Sequence, residues 1–221
     1  MMSFAQAEQL LHALRAQSIC NVVFGGGEPF LWPHGLERLT RLARDLGFLV
    51  QVCTNGASLP TGYQHITSVD RYILPLESVD PAVHDGLRTH PAGHHRLVLD
   101  RIAGLAGSGR QLTVSTVVTR DNVDRLAEVG EFLTRSMARG VDVHAWHLYR
   151  FLPVGRRGTH NADRLAISFD EFVGACAQAR SHATPFRVYR RDNMLRSSSV
   201  EFFWFEMGRL EVGSKVSLSR Y

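Results

Sequence analysis

The chain has 221 residues, 44% of them hydrophobic and 21% charged, a composition typical of one soluble globular domain. Its formal net charge of +4 comes almost entirely from scattered arginines, and the lack of a dense basic stripe argues against a nucleic-acid partner. No apolar run approaches the ~20 residues of a membrane span, and no signal peptide is seen. The sequence therefore predicts a cytoplasmic protein with no membrane partner.

Strands and helices alternate along most of the chain. The first helix covers residues 4–16 with Ser3 as its N-cap, and the first strand, 22–24, is expected to be buried. The later predicted strands cover residues 48–53, 72–77, 112–118 and 144–149, and the later predicted helices cover 34–46, 95–107, 122–138 and 170–182. Pro75 predicts a bulge or an end within the third strand. This alternation indicates βαβ units and a parallel sheet.

The tail of the chain departs from this pattern. Residues 186–189 and 200–205 have the composition of strands, and Met207-Gly208-Arg209 is the predicted turn of a hairpin. We therefore expect a short C-terminal extension that is rich in β structure.

Polar residues stand where the predicted strands end. They are Gly26-Gly27-Glu28, Thr54-Asn55, Glu77, Ser115 and Tyr149-Arg150. Because ligands of parallel α/β sheets lie at the carboxyl ends of the strands, this recurrence predicts a binding site along one rim.

The glycine loop after the first strand favours an amine-bearing ligand. It matches neither G-x-G-x-x-G nor G-K-[ST], and Glu28 would repel a phosphate. Glycine carbonyls and Glu28 would instead accept hydrogen bonds from an ammonium group. A tight turn with a solvated Glu28 is the alternative.

Several segments resemble the radical S-adenosylmethionine (SAM) enzymes, in the order in which that family has them. FGGGEP at 24–29 resembles the family's G-G-E-P motif, and TNG at 54–56 ends a similar strand. The segments that resemble its later strands, particularly those of viperin-like members, are LESVD at 76–80, HDGLR at 84–88, VSTVVTRDN at 114–122 and WHLYRFLPVG at 146–155. The likeness covers about residues 3–175.

The resemblance implies a fold, a cofactor and a set of binding residues. The fold is α/β, a partial (β/α)6 TIM-like barrel of parallel strands that lacks the first strand, with residues 1–183 as the barrel domain and 184–221 as the extension. The implied cofactor is SAM, and the implied cofactor-binding residues are Gly26, Gly27, Glu28, Pro29, Asn55, Glu77, Arg88, Ser115 and Tyr149.

Each implied role has its own chemistry. Gly26, Gly27 and Glu28 would take the methionyl ammonium, Arg88 the carboxylate, and Tyr149 would border the adenine. Glu77 and Ser115 would reach the ribose and methionyl polar groups. Two alternatives stay open, since Glu77 and Ser115 also fit ordinary polar strand ends and Arg88 also fits a surface arginine. No catalytic residue is identified.

The family's iron–sulfur motif is missing from this sequence. A four-iron, four-sulfur (4Fe–4S) cluster is expected for the family through C-x-x-x-C-x-x-C, yet the chain has only Cys20, Cys53 and Cys176. Cys20 and Cys53 are expected to be buried. Either the first strand and its cysteines lie before Met1, as the unpaired edge of strand 22–24 favours, or the barrel has given up the cluster.

The resemblance predicts a protein that, when intact, cleaves SAM to a 5′-deoxyadenosyl radical and abstracts hydrogen from an unknown small molecule or peptide. Flavodoxin or ferredoxin would supply the electron, and the chain as given is expected to be inactive. The alternatives are a non-catalytic ligand-binding or regulatory protein and a barrel enzyme that uses Glu28 and Glu77 as paired carboxylates.

Histidines raise the question of a metal site. His90, His94 and His95 lie close together in the sequence, but Pro91 and Gly93 interrupt any helix that would align them. No metal ligands are therefore predicted.

Overall fold

Six parallel strands form one sheet in a computed structural model that describes residues 1–88, 93–153, 155–181, 185–193, 203–206 and 209–212. The order of the strands in the sheet follows the sequence, β1-β2-β3-β4-β5-β6. They are β1 (Asn21–Phe24), β2 (Leu49–Cys53), β3 (Arg71–Pro75), β4 (Gln111–Val118), β5 (Asp142–Arg150) and β6 (Arg187–Arg191). Strands β7 (Phe203–Glu206) and β8 (Arg209–Val212) form a separate antiparallel pair.

Helices connect the strands of the sheet. They are α1 (Phe4–Ala16), α2 (Leu36–Asp45), α3 (Pro81–Leu87), α4 (His94–Ala103), α5 (Leu126–Ala138), α6 (Gly155–His160), α7 (Ala162–Leu165) and α8 (Phe169–Ser181). Helix α1 begins with a capping box, in which the Gln6 amide donates to Ser3 Oγ and the Ser3 amide donates to Gln6 Oε1. No helix in the described ranges is long and apolar enough to cross a bilayer.

Alternating residues of the strands separate two faces of the sheet. The face covered by helices carries the core residues Val52, Tyr72, Leu74, Val114, Trp146 and Leu148. A second cluster packs α1 and α2 against the start of the sheet through Leu11, Ala43 and Val50. The opposite side, here called the inner face, carries Cys53, Ile73, Ser115, His147 and Tyr189, which alternate with core positions. The core therefore lies between the sheet and the helices.

The predicted fold class is confirmed, since the parallel strands curve into a half-barrel. Strand β3 ends at Pro75, and the residues on either side of the predicted hairpin turn pair as β7 and β8; Met207 and Gly208 of that turn lie outside the described residues. The strand predicted at 186–189 is β6, which pairs with β5 in the main sheet. The division at 183/184 stays a prediction.

Strand β1 is not buried as expected. It is an edge strand whose other neighbour is absent from the described sheet, and Val23 is 47% exposed. Only Val22 and Phe24 pack against core side chains. An apolar run of three residues does not distinguish a central strand from an edge strand, because both need one packed face.

Candidate functional site

The first part of the rim is the loop between β1 and the turn that begins at Pro29. Gly26 and Gly27 have φ angles of +83° and +52°, a region that glycine adopts without strain. A Cβ added to either residue would meet nothing within 4 Å. The backbone of this loop therefore faces open space, where a ligand can approach it closely.

Glu28 ties this loop to the end of β2. Its Oε1 accepts a hydrogen bond from Thr54 Oγ1 at 2.7 Å, and its Oε2 accepts one from the Asn55 amide at 2.9 Å. The Phe30 amide also donates to Oε1, at 3.4 Å, and the buried Pro29 begins the short turn that follows. These three donors use most of the acceptor capacity of the Glu28 carboxylate. The backbone of Gly26 and Gly27 is therefore more available to a ligand than the carboxylate is.

Glu77 and Arg88 meet at the end of β3. Glu77 is 3% exposed, its Oε1 accepts from Arg88 Nη2, and its Oε2 accepts from the Val117 amide at 2.7 Å. Asn122 holds the same turn, because its Nδ2 donates to the Glu77 carbonyl at 2.8 Å. The Nε of Arg88 is buried and has no hydrogen-bond partner among the described residues. A buried N–H without a partner is costly, and an anionic ligand group would satisfy it.

Cys53 lies near both Glu28 and Arg88, because the charges of both residues shift the pKa of its thiol. Burial raises the pKa of its thiol, the positive charge of Arg88 lowers it, and the negative charge of Glu28 raises it. Its side chain nevertheless retains access to solvent. A group crowded by protein atoms but still open to water lies in a concave cleft, so we take Cys53 to line the cleft near Glu28 and Arg88.

Ser115 and Tyr149 lie on the inner face, further along the sheet. Ser115 pairs in register with Pro75 and with His147, and its Oγ is 3.5 Å from the Leu74 carbonyl. Burial raises the pKa of the Tyr149 hydroxyl, which Arg191 lowers and Cys53 raises. The strand ends predicted from sequence therefore lie along one rim, with the glycine loop, Glu28, Glu77 and Arg88 towards β1 to β3. Arg150 alternates with Tyr149 and instead contacts Phe169 on the side of the sheet that α8 covers.

A chain of hydrogen bonds between histidines supports this rim and is not apparent in the sequence. The Glu77 amide donates to His84 Nδ1 at 3.1 Å, and His84 Nε2 lies 2.9 Å from His94 Nδ1. His94 Nε2 lies 2.9 Å from the Asn55 carbonyl oxygen. With both rings neutral, each imidazole accepts at Nδ1 and donates at Nε2. The chain links the turns after β2 and β3 and fixes both tautomers.

The same histidines form a possible metal group. Ligand atoms of His84, Asp85 and His94 all lie within 4.8 Å of one another. However, the ring nitrogens of His84 and His94 take part in hydrogen bonds, and both Asp85 oxygens accept from the amides of Gly93 and His95. We therefore interpret the group as structural. His90, considered from sequence, lies outside the described residues.

Burial of His84 agrees with neutral rings. Burial is the largest cause that lowers its pKa, to about 3, and the positive charge of Arg88 acts in the same direction. His84 is completely buried on helix α3. No periodic signal marks a helix of seven residues that contains Gly86.

The cysteines do not fit an iron–sulfur cluster. Cys20 precedes β1 at the end of the sheet opposite the rim, Cys53 ends β2, and Cys176 is buried on α8. Burial raises the pKa of Cys176 to about 11, which opposes formation of the thiolate that iron needs. The expectation that Cys20 and Cys53 are buried is wrong, because both are exposed; each lies just outside the packed part of its strand.

Comparisons with known proteins point to one family. Residues 1–133 match the Radical SAM superfamily. Over 123 residues the chain is 32% identical to a PqqA peptide cyclase of Streptomyces rochei, covering 54% of this chain and 33% of that protein. The chain thus spans about a third of the length of the curated relative that it matches.

Solved structures share the fold. SuiB of Streptococcus suis bound to S-adenosylmethionine superposes with a TM-score of 0.66 at 12% identity, covering 88% of this chain and 45% of SuiB. SuiB bound to its precursor peptide SuiA gives 0.60 at 13%, covering 82% and 40%. A domain of pyruvate-formate lyase-activating enzyme from Bacteroides vulgatus gives 0.59 at 17%, covering 79% of this chain and all of that domain.

Proposed function

The chain belongs to the radical SAM superfamily, and on that premise we propose that it binds SAM along the rim at the carboxyl ends of its strands. The methionyl ammonium is held by the backbone of Gly26 and Gly27, and the methionyl carboxylate by Arg88. Asn55, Glu77, Ser115 and Tyr149 complete the proposed site, with Glu28 and Pro29 shaping the glycine loop.

The observation that carries this proposal is the pairing of an open loop with an unsatisfied donor. The loop backbone at Gly26 and Gly27 has nothing within 4 Å of where side chains would begin. Arg88 presents a buried Nε that has no hydrogen-bond partner among the described residues, and Glu77 holds its guanidinium in place. An amino acid carries an ammonium and a carboxylate on the same carbon, so one methionyl group matches both features.

The substrate we propose is a peptide. The relatives include an enzyme named for cyclising the PqqA peptide and one solved with its precursor peptide. In this superfamily a 4Fe–4S cluster supplies the electron that cleaves SAM to the 5′-deoxyadenosyl radical, which abstracts hydrogen from substrate. Since the three cysteines of this chain do not fit a cluster, residues 1–221 alone bind SAM without cleaving it. A flavodoxin or ferredoxin reductant belongs to this proposal only where cluster ligands are supplied.

Calorimetry with matched glycine variants tests SAM binding. Gly27→Ala puts a methyl group on the open side of the loop and strains a residue with positive φ, so we expect SAM affinity to fall by about tenfold or more. Gly107→Ala is the control, because Gly107 also has positive φ (+67°) and open space but lies between α4 and β4, at the opposite end of the sheet. Equal SAM affinity in wild type and Gly27→Ala, or no binding to wild type, would overturn the proposal.

A non-catalytic role as a SAM-binding or regulatory protein is the second candidate, and the separation of the three cysteines favours it. Both roles predict no 5′-deoxyadenosine when residues 1–221 alone are incubated with SAM and dithionite, so the assay distinguishes them only in a protein in which cluster ligands are supplied. Formation of 5′-deoxyadenosine by this chain would contradict a purely binding role.

A further inference from the structure

Strands β5 and β6 form one wall of the inner face. His147 pairs in register with Tyr189, and Tyr149 pairs with Arg191. Because paired residues of neighbouring strands point to the same side, these four side chains share the inner face. Arg190 alternates with them and lies on the other side, where it contacts Phe169 and pairs with Asp192. We call the set of His147, Tyr149, Tyr189 and Arg191 the β5–β6 wall.

Contacts within the β5–β6 wall organise the guanidinium of Arg191. The rings of His147 and Tyr189 meet edge to face with centroids 5.1 Å apart. The guanidinium carbon of Arg191 lies 5.1 Å from the Tyr189 centroid, and His147 Nδ1 lies 3.4 Å from the Tyr149 hydroxyl oxygen. A guanidinium that contacts an aromatic ring keeps N–H donors available at its edge. The wall thus presents a positioned cation with two tyrosine hydroxyls nearby.

This cation lacks a carboxylate partner in the described part of the chain. None of the ion pairs found there includes Arg191, or Arg187 on the same side of β6. The carboxylate of Asp142 lies at the amino-terminal end of β5, where it accepts from Gln111 Nε2 at 3.3 Å. It therefore stands at the other end of the strand from Tyr149 and Arg191.

The pKa of His147 also indicates a positive potential at the β5–β6 wall. Burial is the largest cause that lowers the pKa of His147, to about 4, and the charges of Arg191, His144 and Arg71 act in the same direction. The field that removes a proton from His147 attracts an anion.

From these contacts we propose that the β5–β6 wall binds the carboxylate of an acidic side chain, Glu or Asp, in the peptide substrate. Arg191 supplies the charged hydrogen bonds, and the neighbouring donor is the hydroxyl of Tyr189, which accepts from Arg187 Nη1 at 3.3 Å and keeps its own proton to donate. This inference rests on the proposed function, because it names the substrate class for the same barrel.

The cofactor's own carboxylate is the other possible source of this chemistry. In SAM that carboxylate and the ammonium share one carbon, and the proposed ammonium site is the loop after β1, at the opposite edge of the sheet from β6. Arg88, which together with Glu28 influences the pKa of Cys53, lies on the same side as that loop. The cofactor carboxylate is therefore assigned to Arg88, and Arg191 is left for the substrate.

Nuclear magnetic resonance on the purified chain with labelled histidine rings tests the inference. The probes are the blocked tripeptides N-acetyl-Gly-Glu-Gly-amide and N-acetyl-Gly-Gln-Gly-amide, and the signal is the His147 ring resonance, assigned by its loss in His147→Gln. We expect saturable shifts with the Glu peptide at about tenfold lower concentration than with the Gln peptide. Arg191→Gln is expected to abolish this preference, whereas Arg190→Gln, on the opposite side of the same strand, retains it.

Two further measurements keep the outcomes distinct. Arg191→Lys keeps the charge but loses the forked geometry, so an intermediate preference is expected even if Arg191→Gln fails to fold. SAM affinity, measured separately, should change less than about twofold in Arg191→Gln. Equal binding of both peptides, an equal loss in Arg190→Gln, or a tenfold loss of SAM affinity in Arg191→Gln would overturn the inference. Failure of SAM to bind wild type, with the Glu preference intact, would overturn the proposed function alone.

Discussion

His84 shows how a single residue makes the rim sensitive to acid. It is completely buried, accepts from the Glu77 amide and reaches the Asn55 carbonyl through His94. Protonation of His84 would place a donor opposite that amide and a charge in a buried position. The two turns that carry Asn55 and Glu77 therefore depend on a neutral ring.

We expect unfolding free energy to fall on acidification partly through His84. Its pKa is lowered in the folded state, to about 3 from 6.5, so below pH 6.5 the unfolded chain binds a proton that the folded chain excludes. This contribution is present above pH 6.5 and is lost progressively as the pH falls towards 3. Between pH 7 and 5.5 the loss from this residue is about 1 kcal/mol.

Urea unfolding of wild type and His84→Asn at those two pH values measures this contribution. Asn retains an acceptor near the Glu77 amide and has no titration in this range. The variant should be less stable at pH 7, with a loss on acidification about 1 kcal/mol smaller than that of wild type. His12→Asn, on the outer helix α1, is the control. Identical pH dependence in wild type and His84→Asn would contradict the role of His84.

At the residue scale, the sequence predicts which residues lie on the rim but not the ion pair and hydrogen bonds that join them. The glycine loop, Glu28, Glu77 and Arg88 were predictable because each follows a strand or belongs to a motif. Glu77 pairs with Arg88 only because α3 turns the chain back, and His84 meets His94 across a gap of ten residues. Contacts of this kind depend on tertiary packing, which periodicity does not encode.

At the scale of elements, β1 is the exposed edge of the sheet. Val23 is 47% exposed, whereas Val22 packs against the cluster that contains Leu11 and Val50. Unpaired edges with exposed apolar side chains promote association between copies, and lysine on such an edge opposes it.

We expect Val23→Lys to reduce concentration-dependent aggregation without changing the unfolding midpoint. Val22→Lys is the matched comparison, because Val22 is half-buried against the α1–α2 cluster, so the same substitution one residue earlier loses apolar packing there and should cost about 1–2 kcal/mol. Light scattering against concentration measures association, and urea titration measures stability. A loss of stability in Val23→Lys as large as that in Val22→Lys would show that Val23 is covered.

Strand positions were predictable, whereas the membership of β6 in the main sheet was not. Apolar runs separated by helical patterns located β1 to β5 to within a few residues. The sequence places residues 186–189 in the C-terminal extension, because the tail departs from the alternation of strands and helices. In the structure Arg187, Arg190 and Arg191 lie on β6, an edge strand of the main sheet, where charged side chains on both faces are tolerated.

At the scale of the whole molecule, the sheet forms the rim at the carboxyl ends of its strands without bringing together cysteine ligands for a cluster among the described residues. Cys20 and Cys53 stand at opposite ends of neighbouring strands, and Cys176 lies behind the sheet among the core residues of α8. A 4Fe–4S cluster needs several thiolates converging on one site. On the proposal that this chain binds SAM, we therefore expect SAM binding without assembly of a cluster.

We expect anaerobic incubation with ferrous iron and sulfide, followed by desalting, to leave no stoichiometric iron and no visible absorbance from a cluster. The matched control is the Cys20→Ser, Cys53→Ser double variant, which should give the same residual iron as wild type because neither thiol takes part in a site. Bound iron at about four atoms per chain in wild type, lost in the double variant, would contradict this separation. The same samples should bind SAM equally, since Cys53 borders the rim through its side chain while the proposed contacts come from the glycine backbone and Arg88.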